Sequence, residues 1–219
     1  MKHLKILGLA AVAALALMAA VGAATASAEA VVCSTSPTGM IPNAKCTTGL
    51  QVLNGTTIDT SLKPGTVVEL TSTFDNIKCS QSTVQGTVTN SATGTGNIES
   101  MTFSGCTDSF GGNCTADTSA SSTNKWPVTV TANKEPHNGS GTMTVSNITG
   151  KFVCPVGTCR YTASSNSTGI TGGEPATLTT TKAALTREEV SSFGCSSTAT
   201  LTGAYTQTSP TATNGFWLY

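Results

Sequence analysis

The chain is poor in charge, aromatics and histidine, and each shortage narrows what it can be. Charged residues are 10% of the 219, with 11 Lys and Arg against 11 Asp and Glu. No block of either sign occurs, which excludes the electrostatic footprint of a nucleic-acid binder and a polybasic membrane patch. Of the two histidines, His3 falls in the leader described below, so His137 alone remains for imidazole chemistry. It lies in the turn Glu135-Pro136-His137-Asn138-Gly139, with no Gly-x-Ser-x-Gly elbow or His-Glu-x-x-His motif in the chain. A serine triad or a zinc protease therefore has no partners, and no cofactor is expected. Aromatics are 5% of the residues, too few to dominate a core.

Long apolar runs are missing too, except at the start. Lys2 and Lys5 flank an apolar stretch from Ile6 to Val21, and Ala26-Ser27-Ala28 supplies a small-x-small cleavage site before Glu29. Residues 1–28 read as a secretory signal peptide, because the run is shorter than the ~20 residues of a spanning helix. Val32 before Cys33 excludes a lipoprotein. The expected product is a secreted or envelope-associated chain without a transmembrane anchor, carrying two more acidic than basic residues.

What is abundant is cysteine, threonine, serine and glycine. All eight cysteines, Cys33, Cys46, Cys79, Cys106, Cys114, Cys154, Cys159 and Cys195, lie beyond the leader. An even number in an exported chain predicts disulfides. Shortest loop closure pairs Cys33 with Cys46, Cys106 with Cys114 and Cys154 with Cys159, leaving Cys79 for Cys195. Zinc is disfavoured, since Cys154-Pro155-Val156-Gly157-Thr158-Cys159 has no second Cys pair at metal spacing.

Residues 29–49, with Pro37, Gly39 and Pro42, read as an N-terminal strap. From residue 50 to 219 the pattern is period two. Val68, Leu70 and Phe74 alternate with polar residues, as do Val84, Gly86 and Val88; Met101, Phe103 and Gly105; Trp126, Val128 and Val130; and Ala199, Leu201, Gly203 and Tyr205. On this pattern Cys106 falls on the face opposite Phe103. Asn54-Gly55 and Lys63-Pro64-Gly65 are turn signals. Ala183 to Val190 is the one helix candidate, too short to favour over strand plus turn. Phe216 to Tyr219 is expected to dock as a final strand or plug. The fold class is all-β: a single antiparallel β-sandwich or sandwich-like barrel of about ten strands, stapled by disulfides.

Phe103-Ser104-Gly105-Cys106, Trp126-Pro127-Val128, Cys159-Arg160-Tyr161 and Cys195 with Tyr205 resemble a group of uncharacterised secreted, cysteine-containing β-rich proteins of actinobacteria. The resemblance implies a bacterial, exported β domain and carries no activity or catalytic residues.

Site candidates are few. Asp108, Asn113 and Asp117 surround the turn between Cys106 and Cys114 and could offer oxygens to Ca²⁺, although Asp and Asn also favour turns for backbone bonding alone. Thr198, Thr200 and Thr202 offer a hydroxyl row to envelope glycan or protein partners. The leading expectation is a non-enzymatic exported module that binds or builds at the cell envelope. The alternatives are a secreted glycan hydrolase with carboxylates assembled in the fold, and a pore subunit of an outer envelope, which needs strands with an apolar lipid face.

Overall fold

The computed structural model describes residues 30–34, 46, 50–133, 139–155, 157–188, 195–210 and 216–219. The expected leader, most of the strap, His137 and the last residues of the helix candidate lie outside them. The short β-branched and threonine-rich runs suit a pleated, half-buried surface. They form β1 (Val32–Cys33), β2 (Thr57–Leu62), β3 (Val68–Ser72), β4 (Asn76–Asn90), β5 (Thr95–Thr107), β6 (Asn113–Thr118), β7 (Trp126–Ala132), β8 (Gly141–Cys154), β9 (Gly157–Thr171), β10 (Thr177–Arg187), β11 (Thr198–Ser209) and β12 (Trp217–Leu218). Among the described residues there is no α-helix, and Ala183 to Arg187 belongs to β10.

β2 and β3 run in one direction between β11 and β4, so they are halves of a single strand with the Lys63-Pro64-Gly65 turn looped out. β6 and β7 fill the gap between β5 and β8 in the same way, with 119–125 as the insert. Eight successive strand positions then meander antiparallel around a closed barrel, because the last strand, β11, pairs back onto β2 and β3.

The alternation holds for β11, where Ala199, Gly203 and Tyr205 are buried, and for Trp126 and Val130 of β7. It breaks where the barrel wall bends. Gly105 takes a φ of 59°, and Cys106 consequently turns inward, 4% exposed, on the same face as Phe103 rather than opposite it. Asn147 and Lys182, at φ 61° and 50°, mark comparable steps in β8 and β10, each inserting one residue between inward positions. Phe74 also departs from expectation. The chain leaves β3 at Ser72, and Phe74 is 68% exposed in the bend that follows, its amide donating to Ser196 Oγ.

Six of the cysteines ring one end of the barrel. Going round the wall they are Cys79 on β4, Cys106 on β5, Cys114 on β6, Cys154 on β8, Cys159 on β9 and Cys195 before β11. The bridges are Cys79–Cys106, Cys114–Cys154 and Cys159–Cys195, with Cys33–Cys46 apart from the ring. Only Cys33–Cys46 matches the pairing by shortest loop. The other three expected pairs are the same ring matched one step round. Cys79 lies directly across from Cys106, whereas Gly157, not Cys159, faces Cys154.

The opposite end is closed by β1 and β12, the first and last strands. β1 and β12 pair antiparallel and are fully buried, Val32 and Leu218 at 2% exposure. Val32 receives a hydrogen bond from the amide of Val52, and Leu218 donates to Gly139 O at 2.9 Å. Leu218 and Val32 pack onto Val88, Val130 and Ile170 at the barrel mouth. The terminal aromatic segment thus forms the expected plug.

Candidate functional site

Inward positions of the eight strand positions leave space between the plug and the disulfide end. The space under the plug, about 100 Å³, is bordered by Ile58 of β2, Val88 of β4, Ile98 of β5, Val130 of β7, Ile170 of β9 and Leu178 of β10. Lining drawn from so many strands around the wall places it inside the barrel. Gly86 and Gly96 border it as well; at each a β-carbon would fall within 2.8 Å of a cross-strand carbonyl, Asn97 O or Thr87 O. A second space of about 80 Å³ lies at mid-barrel, against Met101, Trp126, Thr168, Thr180 and Tyr205. Thr60, Val84, Ile98, Met143 and Leu178 border both. For scale, an engineered apolar cavity of ~150 Å³ accepts benzene.

Besides the amides of Asn97 and Gln207 under the plug and Asn166 at mid-barrel, the polar groups in this wall are hydroxyls, and those of Ser82, Tyr205, Thr168 and Thr180 have partners in the wall itself. Ser82 Oγ donates to Thr102 O at 2.8 Å, so the Tyr205 hydroxyl, 3.1 Å away, donates to Ser82. Thr168 Oγ1 and Thr180 Oγ1 are 2.9 Å apart. The Tyr205 ring folds over Gly203, where a β-carbon would lie 3.2 Å from Cε2. Gly203 is the register partner of Thr180, which brings the phenol toward the threonine pair. Burial pushes the Tyr205 phenol up to about 12, so it stays protonated and neutral. Among the described residues, no Asp, Glu, Lys, Arg or His borders either space.

The other candidates lie elsewhere. Asp108 is 6% exposed; its Oδ1 accepts from the amides of Phe110 at 3.0 Å and Gly112 at 2.6 Å, closing the turn against the Cys114–Cys154 bridge. Asn113 and Asp117 face outward on β6, four residues and ~13 Å apart along the strand. The structure therefore does not gather the three proposed calcium ligands. The cluster of Asp108 with Cys114 and Cys154 offers no thiolates, since both sulfurs are in a disulfide. His137 and Glu189 lie outside the described residues.

Two carboxylates share an outer groove, Asp117 and Glu188, with Lys151 and Arg160 between them. Register sets Asp117 beside Lys151, Lys151 beside Arg160, and the Glu188 amide on Arg160 O. Asp117 and Glu188 are thus three strand spacings, ~14 Å, apart at the backbone. Thr198 and Thr202 are exposed on the outside of β11, so the hydroxyl row exists as a wall surface. Sequence patterning missed the interior site because it could not say that β11 closes on β2. Among the described residues no helix is long and apolar enough to cross a membrane. No family model, curated protein or solved structure matches this chain.

Proposed function

We propose that this chain is an exported, non-enzymatic binding module of the cell envelope whose barrel holds a small apolar molecule. One observation carries the reading: a closed barrel, plugged at one end by the pair β1 and β12, keeps apolar space of about 100 and 80 Å³ behind that plug. Eight-stranded barrels are just wide enough to fill with side chains or to hold one small ligand. Four disulfides and a leader-like start support export, since an oxidising compartment preserves such bridges.

For the hydrolase alternative, the groove that holds Asp117 and Glu188 also holds Lys151 and Arg160, and the apolar interior offers it no carboxylate among the described residues. The pore alternative needs an apolar outer band; the large apolar residues exposed among those described are Leu53, Val67, Phe74 and Phe110, all in turns, inserts or bends. Toluene tests the reading. Saturating toluene should raise the melting temperature of the mature protein by mass action, and Val84→Phe, which fills the border between the two spaces, should abolish the rise. No rise in the wild type, or the same rise in the variant, would refute it.

A further inference from the structure

We infer that the molecule held in the barrel is uncharged, with an apolar body under the plug and one hydroxyl or carbonyl group at the Tyr205, Thr168 and Thr180 belt. This rests on the interior being the binding site, and it names the ligand's class. The space under the plug is walled mostly by Val, Ile and Leu side chains and by glycine, with Thr60 and Gln207 also at its border, the Gln207 amide nitrogen donating to Pro210 O. Hydroxyls of Thr168, Thr180 and Tyr205 gather at the mid-barrel space.

The hydrogen-bond bookkeeping of the belt says what it can take. Tyr205 spends its proton on Ser82, leaving the phenol oxygen as an acceptor. Thr168 and Thr180 share one bond, which uses one of their two protons and leaves the other to donate inward. An alcohol finds both an acceptor and a donor there, and a carbonyl finds the donor. A carboxylate or an ammonium finds no opposite charge among the described residues, and an unpaired ion in so dry a place is strongly disfavoured. Met101 and Met143, which border the spaces, are unbranched and adapt to differently shaped apolar bodies.

Four probes on one ring separate the possibilities: cyclohexylmethanol, methylcyclohexane, cyclohexanecarboxylate and cyclohexylmethylammonium, titrated calorimetrically into the full mature chain at neutral pH. Cyclohexylmethanol should bind at least about tenfold tighter than either ion, the penalty for burying an unpaired charge being larger than one hydrogen bond. Binding of the acid should recover as pH falls toward the acid's own pKa and the neutral form appears. Tyr205→Phe and Thr180→Val should each lower the preference for the alcohol over methylcyclohexane by about three- to tenfold. Unchanged methylcyclohexane binding in those variants reports an intact barrel.

A carboxylate or ammonium that binds as tightly as the alcohol overturns the uncharged-ligand inference and leaves the binding-module reading standing. An alcohol preference that survives both variants overturns the belt. Failure of all four probes, methylcyclohexane included, removes both this inference and the interior site on which it rests.

Discussion

Gly105 lies against Ser80 so closely that a β-carbon on the glycine would overlap the serine Oγ. Here β4 and β5 both step by three residues between inward positions, Cys79 to Ser82 and Phe103 to Cys106. The step brings Cys106 to face Cys79 inside the wall, where the two are bonded. Gly105 permits it by adopting φ 59°, a region that costs an L-residue about 1–2 kcal/mol. Gly105→Ala should destabilise by about 1–3 kcal/mol in denaturant unfolding, strain and overlap together. Adding Ser80→Ala should recover the overlap share and leave the strain. Full recovery would show that φ contributes nothing.

The cysteine ring predicts a specific peptide map. Proteolysis of the unreduced protein should release Cys79 with Cys106, Cys114 with Cys154, and Cys159 with Cys195. Any of Cys106 with Cys114, Cys154 with Cys159 or Cys79 with Cys195 would contradict the register. Replacing Cys114 and Cys154 together by Ala, with a separation of 40, should cost about 4 kcal/mol by loop closure. Replacing Cys33 and Cys46, with a separation of 13, should cost about 3 kcal/mol.

Much of this architecture was legible in residue order, and what was not has a physical cause. The strands announce themselves because Val, Leu and Tyr alternate with Thr, and Ala199 to Tyr205 reads correctly since β11 carries no bulge between its inward residues. Met101 to Cys106 misleads because one left-handed glycine shifts every later side chain to the other face. Cysteine pairing failed for a related reason. Loop length ranks entropy in the unfolded chain, while the actual partners are set by cross-strand register, as Cys79 opposite Cys106. The interior site was invisible, since it depends on β11 closing onto β2 and β3, a contact between the far ends of the sequence.

Alkaline pH should loosen the barrel through its tyrosines. All three, Tyr161, Tyr205 and Tyr219, are held above the ordinary phenol range chiefly by burial, Tyr205 furthest, at about 12. In the unfolded chain the phenol ionises near ~10. The unfolded state therefore loses protons first, so Tyr205's contribution is complete below pH ~10 and disappears as pH climbs toward 12. The two-unit gap corresponds to about 3 kcal/mol. Urea unfolding at several alkaline pH values should show stability falling over this window, less steeply in Tyr205→Phe. An identical fall in the variant would remove Tyr205 from the effect.

Access to the interior should be governed by the plug. Trp217 packs onto Gly139 and Gly172, with a β-carbon on Gly172 falling 2.8 Å from the indole Cδ1. Leu218 packs similarly, 2.7 Å from a β-carbon on Gly141. A β-carbon on Gly172 or Gly141 would also overlap backbone, the Gly139 and Thr131 carbonyls respectively, so substitution there strains the wall as well as the plug. Trp217→Ala instead removes the indole from the plug and leaves the eight-stranded closure to its own ladder. If ligand enters past β1 and β12, toluene dissociation measured by stopped flow should quicken about tenfold or more in Trp217→Ala, the equivalent of losing ~1.4 kcal/mol of plug contact. Replacing Cys33 and Cys46 by Ser releases β1 from its tether and should quicken exchange in the same direction. Unchanged dissociation in both variants would mean that exchange occurs at the disulfide end, where the space among Leu70, Ile77, Phe152 and Tyr161 is about 50 Å³.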